Sequence, residues 1–139
     1  MDKTRIAVIL VNYNGLEDTR ECIDSIIHNN IRDVSIVVVD NASIRNETEI
    51  LKKEYKDIKT IRSEINGGFS FGNNLGIKWA IDNKYNYILL LNNDTVIDRD
   101  MIRILAKESS ESVVTVPTML YYSDPYRIWF GGCDIRNCA

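Results

Sequence analysis

The sequence predicts an α/β fold, a mostly parallel sheet with helices on both faces. Three observations predict it. Short aliphatic runs alternate with segments whose apolar residues recur at helical spacing, as in successive βαβ units. The aliphatic runs are continuous, which suits strands covered on both faces. Three of the runs end in small polar clusters, Asn12-Tyr13-Asn14, Asp40-Asn41 and Asn92-Asn93-Asp94, which a parallel sheet would deliver to one edge.

Taken in order, residues 6–11 form the first buried strand, ended by the turn signal Asn12-Tyr13-Asn14-Gly15. A helix to about His28 follows, with Leu16, Ile23, Ile26 and Ile27 on its apolar face. Residues 34–39 are the second strand, broken by Asp40-Asn41-Ala42-Ser43. Asn46 with Glu49 three residues on has the form of a capping box and starts a helix to about Lys56. Residues 58–61 make a short third strand. The stretch Asn66-Gly67-Gly68-Phe69-Ser70-Phe71-Gly72 reads as a glycine-rich loop, and a helix over 73–83 follows it. Tyr87-Ile88-Leu89-Leu90-Leu91 reads as a strand buried on both faces, running directly into Asn92-Asn93-Asp94-Thr95. Asp98 is placed as the cap of a further helix carrying Met101, Ile102 and Leu105. Residues 113–116 are expected to be a last core strand stopped by Pro117, and Trp129-Phe130-Gly131-Gly132 to be irregular or part of a strand pair.

A chain of 139 residues is long enough for one domain with a real core, and residues 1–139 are read as a single domain. Its net charge of −3 leaves no basic footprint for nucleic acid. Cys22, Cys133 and Cys138 are odd in number and lack paired spacing, so a reduced cytoplasmic chain is expected, without a disulfide framework or zinc site. No segment approaches the ~20 apolar residues that span a bilayer. His28 is placed at a helix end, where a cation is mildly favoured, and Trp79 in the core. Trp129 and Phe130 are likelier than Trp79 to line a ligand pocket.

The polar strand ends suggest the ligand. Asp94 is the ionised group of its cluster and the candidate for a hard divalent cation, Mg²⁺ or Mn²⁺, which binds through one or two carboxylates plus substrate phosphates. Taken alone, Asn92-Asn93-Asp94-Thr95 reads slightly better as a turn leading into the next helix; its convergence with the other two clusters favours a site. The dinucleotide fingerprint is absent, since Gly15 stands alone after the first strand, and the P-loop pattern is missing. Gly67, Gly68 and Gly72 could turn backbone N–H groups toward an anion. Tyr13 offers a stacking face for a base, or ordinary strand-end packing. Asp40 could accept hydrogen bonds from a base or ribose, or cap a turn. Together these suit a nucleoside diphosphate laid across the sheet edge.

VILVNYNG, VVVDNAS, NGGFSFGNNLGI and LLLNNDT, in this order and spacing, resemble the family 2 glycosyltransferases of the GT-A fold, most closely their rhamnosyltransferase-like branch. The resemblance implies a three-layer α/β/α nucleotide-sugar-binding domain. The reaction it implies is inverting transfer from a UDP- or dTDP-sugar to a saccharide or lipid-linked acceptor hydroxyl, in polysaccharide or glycoconjugate synthesis. It implies a nucleotide site built from Asn12, Tyr13, Asn14, Asp40, Asn41, Gly68, Asn74, Asn92 and Asn93, with Asp40 on the pyrimidine ring and the metal on Asp94. Asn74 and Gly76 match the loop after the third strand. Asn92 stands where the D-x-D motif has its first acid, one carboxylate fewer at the metal. The resemblance implies a catalytic base in an acceptor half beyond Ala139; Asp98, Asp100 and Asp134 are available, but caps and turns explain them equally well. The chain is therefore expected to bind nucleotide and transfer sugar poorly by itself, with peripheral membrane association open to the full-length enzyme. A sugar nucleotidyltransferase ranks lower, because residues 12–18 hold one glycine and no Lys or Arg. A nucleotide-sugar-binding module without activity would use the same strand ends.

Overall fold

The computed structural model describes residues 5–29 and 31–132; Cys133, Asp134 and Cys138 lie outside them. Contacts divide the chain into two compact units, Met1–Ile97 and Asp98–Ala139.

The first unit alternates strand and helix throughout: β1 (Ile6–Asn12), α1 (Leu16–His28), β2 (Val34–Asp40), α2 (Glu47–Glu54), β3 (Lys59–Arg62), α3 (Phe69–Asp82) and β4 (Tyr87–Asn92). The four strands are parallel in the order β3-β2-β1-β4. The chain winds outward from β1 to β3, then returns across β1 to place β4 on its other side. That reversal makes a topological switch point between β1 and β4, where open α/β sheets hold ligands.

Alternation along the strands builds the core on both faces. Ala7 and Ile9 of β1 and Val37 and Val39 of β2 pack with Ala80 of α3, bordered by Leu75, Ile77, Trp79 and Ile88. Val8, Leu10, Ile36 and Val38 turn the other way, to the face covered by α1 and α2. Trp79 serves this packing, its ring 5.4 Å from that of Tyr85. Glycine sets the closeness of α3 to β1. A Cβ on Gly72 would lie 2.7 Å from Val11 Cγ1, and one on Gly76 2.5 Å from Ile9 Cγ2.

Several expectations are corrected. Helix α3 begins at Phe69, because Phe69, Ser70, Phe71 and Gly72 form its first turn and not a loop. Asn74 and Gly76 therefore lie within the helix. On α1, Thr19, Cys22, Ile23 and Ile26 are buried, whereas Ile27 is 50% exposed one position past that stripe. β4 is not buried on both faces: its residues are half-buried or exposed, and Leu90 is 47% exposed. Asn46 does cap α2, accepting the Glu49 N–H at 3.4 Å, while the Glu49 carboxylate pairs with Lys52 instead of closing the box. His28 lies in the last turn of α1 with Nδ1 2.6 Å from the Asp24 carbonyl.

In the second unit, α4 (Met101–Glu108) precedes an antiparallel pair, β5 (Met119–Tyr121) and β6 (Asp124–Phe130). Asp100, not Asp98, holds the cap position of α4, and the Asp98 carboxylate accepts the Arg99 N–H one step earlier. The expected strand over 113–116 is irregular backbone with Val114 almost wholly exposed. Its β-branched composition favours extension, but a strand also needs a ladder partner, and none pairs with it among the described residues. Trp129 and Phe130 end β6, with Trp129 largely exposed.

Candidate functional site

The strand register brings the polar clusters to one edge. Asn12 stands opposite Asp40, Asp40 opposite Arg62, and Val11 opposite Asn92, so Asn93 follows at the level of Asn12.

A hydrogen-bond chain runs beneath this edge through all four strand ends. The Asn93 amide on the β4 side donates to Thr19 Oγ1 of α1 at 2.9 Å. Thr19 donates to Asn12 Oδ1 at 2.9 Å. Asn12 Nδ2 donates to Asp40 Oδ1 at 3.0 Å and to Glu47 Oε2 at 2.7 Å. From β3, Arg62 Nη1 pairs with Asp40 Oδ2, and the Ser43 hydroxyl donates to Asp40 Oδ1. The chain ends on two acceptors, the Asp40 and Glu47 carboxylates. Asn12, Thr19, Asp40, Ser43 and Glu47 are all buried, where leaving a polar group unpaired is costly.

Backbone shape returns the chain to Asp40. Ala42 adopts φ 65°, an uncommon conformation for a residue with a Cβ, and swings Ser43 back to the strand end. Asn14, at φ 52°, donates its N–H to Ser43 Oγ at 2.8 Å and accepts the Ile44 N–H at 2.8 Å. Asn41 fastens the glycine stretch by donating to Asn66 Oδ1 at 2.8 Å and to the Gly68 carbonyl at 3.1 Å. Gly68 sits at the N-cap of α3 with φ 86°.

The expected nucleotide residues thus divide. Asn12, Asp40, Asn41 and Asn93 are joined into the edge by hydrogen bonds, with Gly68 held by Asn41. Asn12 and Asp40 are wholly buried, so they shape the edge from beneath. Tyr13 stands on top, 51% exposed, one residue past β1. Asn74 is exposed on α3 and makes no described contact with the others. The Gly68 N–H is spent on Asn66 Oδ1 at 3.0 Å, so it is not presented to an anion as expected. Asn92 and Asp94 are exposed at the end of β4, and the Asn92 carbonyl accepts the Thr95 hydroxyl at 2.7 Å. No group of three or more His, Cys, Asp or Glu able to hold a metal occurs among the described residues. Asp94 thus offers one exposed carboxylate. Its all-oxygen chemistry fits a hard cation whose remaining ligands come from a bound diphosphate.

Arg62, Ser43, Thr19 and Glu47 were missed. The available signal was Arg62-Ser63 directly after the third aliphatic run, a polar strand end like the other three. Cys22 is buried beside this edge, its Sγ 3.7 Å from the Asn92 carbonyl. Burial pushes the thiol up to about 11, too high for a nucleophile near neutral pH.

The family model of glycosyl transferase family 2 matches residues 7–133. Glycosyltransferase GlyG of Streptococcus pneumoniae is 26% identical over 121 residues, which cover 85% of this chain and 39% of GlyG. S. aureus TarS 1-349 in complex with UDP-GlcNAc superposes with TM-score 0.64 at 24% identity, over 74% of this chain and 30% of that one. Mannosyltransferase PcManGT from Pyrobaculum calidifontis, in complex with GDP-Man and Mn²⁺, superposes with TM-score 0.71 at 21% identity, over 88% and 37%. At these identities the structural likeness is one of fold, and it bears out the expected GT-A architecture. The chain spans well under half the length of each of these proteins.

Proposed function

This chain belongs to glycosyl transferase family 2, and from that premise we propose that its first unit binds the nucleoside diphosphate of an activated sugar. The site is the carboxyl edge of the four-stranded sheet, and the sugar is transferred from there to an acceptor hydroxyl. The observation that carries this reading is the register that aligns Asn12, Asp40, Arg62 and Asn93 over one hydrogen-bond chain at the switch point.

Tyr13 covers the base, and its exposed ring suits stacking. The turn after β4 receives the diphosphate. Asn92 and Asp94 would hold a divalent cation there, which when bound supplies neutralisation of the charge on the departing diphosphate. TarS and PcManGT are solved with UDP-GlcNAc and with GDP-Man and Mn²⁺, which supports a nucleotide-sugar and metal reading of the corresponding edge here. Attack of the acceptor oxygen on the anomeric carbon, with inversion, requires a carboxylate to take its proton. Asp98 and Asp100 are engaged at the start of α4, where Asp100 pairs with Arg103, so neither is assigned that role. No helix among the described residues is long and apolar enough to cross a membrane. The buried free thiol of Cys22 suits a reducing compartment, and we place the domain in the cytoplasm. The acceptor we assign is a saccharide or lipid-linked saccharide hydroxyl.

Calorimetry with UDP and GDP in the presence of Mn²⁺ tests the reading. We expect saturable binding, a loss of about tenfold for Tyr13→Ala, and loss of the metal dependence for Asp94→Ala. Flat traces at millimolar nucleotide would contradict it. Binding unchanged in both variants would move the site elsewhere.

A further inference from the structure

We propose that Thr19 and Ser25 of helix α1 are positioning residues for the cation: they hold the segment that follows β4 so that Asp94 is presented from a fixed turn. Neither touches the ligand itself. The inference rests on the nucleotide and metal reading above.

The segment takes its course from the helix it lies on. Residues 95–97 form neither helix nor strand. Exposure alternates along the chain: Asn93, Thr95 and Ile97 are half-buried, while Asn92, Asp94 and Val96 are exposed. A period of two is that of extended chain with one side against a surface. That surface is α1. The Asn93 amide donates to Thr19 Oγ1 at 2.9 Å. The Cys22 thiol meets the Asn92 carbonyl at 3.7 Å, and the Thr95 hydroxyl donates to the same oxygen at 2.7 Å. The Ile97 N–H donates to Ser25 Oγ at 3.2 Å.

The anchors are built to receive these donors. Thr19, Cys22 and Ser25 recur every third residue, which sets them one above another on the helix. A hydroxyl has a single hydrogen to give. Thr19 spends its own on Asn12 Oδ1 at 2.9 Å, and Ser25 on the Cys22 carbonyl at 2.7 Å. Both oxygens therefore offer lone pairs to the segment in a fixed direction. The contacts advance from Thr19 to Ser25 as the chain advances from Asn93 to Ile97. β4 runs toward the carboxyl edge and α1 runs back from it, so the chain reverses at 93–94 and Asp94 stands at the reversal. Asp94 offers one exposed carboxylate, and no second acid beside it makes good a displacement. Groups that orient a metal ligand in this way typically contribute about 10–100-fold to metal affinity.

Calorimetry of the intact chain with UDP, once in Mn²⁺ and once in EDTA, tests this. The ratio of the two affinities reads what the metal adds, and general damage to the nucleotide site cancels in it. Wild type should bind more tightly in Mn²⁺. Ser25→Ala should keep the affinity measured in EDTA and lose about tenfold of that gain. Thr19→Val, which matches the shape without the hydroxyl, should also lower the ratio, and Thr19→Ser should preserve it. Ile23→Val removes a buried methyl group from α1 and none of these hydrogen bonds; it should lower the melting temperature and leave the ratio alone. Circular dichroism confirms folding, and Ser25→Ala carries the test should Thr19→Val unfold. A ratio unchanged in Ser25→Ala and in Thr19→Val would overturn the proposal. An equal fall in Ile23→Val would overturn it too, by tracing the effect to lost stability. A wild-type ratio of one would overturn this proposal and the metal assignment while leaving nucleotide binding in place. No UDP binding by wild type in either buffer would overturn both this and the nucleotide-binding reading.

Discussion

Asn12→Ala is expected to lower unfolding free energy by about 3–5 kcal/mol, a large fraction of what a domain this size holds. The side chain is wholly buried and serves four partners at once: Thr19, Asp40, Ser43 and Glu47. Asp40 keeps Arg62 and Ser43 when Asn12 is lost. Glu47 fares worse, exchanging its 2.7 Å bond for a 3.4 Å approach from Ser43 in a site where its side chain is nearly inaccessible. An underpaired buried carboxylate dominates the cost. Asn12→Asp, the same size with acceptors alone, should cost more than alanine, because it faces both carboxylates with a third. The cause can be isolated: Glu47→Gln should be cheaper in the Asn12→Ala background than in wild type. Urea unfolding of the wild type, the three single variants and the double variant measures all of this. A loss below about 1 kcal/mol for Asn12→Ala would show that the network is not under the strain of burial described here.

Gly76→Leu should prevent folding, and Gly76→Ala should already destabilise. Helix propensity argues the other way, favouring alanine over glycine by about 1 kcal/mol. Space decides the sign. The added Cβ would fall 2.5 Å from Ile9 Cγ2 and within 3.3 Å of two further Ile9 atoms, and Ile9 has no exposed surface to move toward. Overpacking a core of this density costs about 1–3 kcal/mol even for a methyl. Gly131→Ala is the control. Its Cβ would meet only Ile128 Cγ2, at 3.6 Å, an ordinary van der Waals contact. Thermal melts should rank Gly131→Ala near wild type and Gly76→Ala clearly below it; a stabilised Gly76→Ala would contradict the close approach of α3 to β1.

Other glycines show where sequence reading stops. β1, β2 and β4 were legible to within a residue, because continuous aliphatic runs bounded by polar groups leave little else to form. The start of α3 was not. Gly67, Gly68 and Gly72 signal a loop locally, whereas Gly72 belongs to a helix and is small because Val11 lies beneath it. Burial of β4 and strand formation over 113–116 depended on partners, and apolar composition does not name a partner. The site followed the same rule. Polar strand ends and their common edge could be read from spacing. The pairing of Asp40 with Arg62 could not, since it arises from the register of β2 against β3, and it leaves Asp40 buried and Arg62 part-exposed. The rhamnosyltransferase-like branch is likewise not singled out by the similarities found.

The central claim is that the carboxyl edge of the four-stranded sheet grips a nucleoside diphosphate. Amide ¹H–¹⁵N correlation spectra during titration with UDP and Mg²⁺ test it most directly. The account predicts saturable shifts at Tyr13, Asn14, Arg62, Gly67, Gly68 and Asn92 to Asp94, with Ile6, Lys59 and Tyr87 at the opposite edge unmoved. Saturable shifts clustered at that opposite edge, or none anywhere at millimolar UDP and GDP, would contradict it.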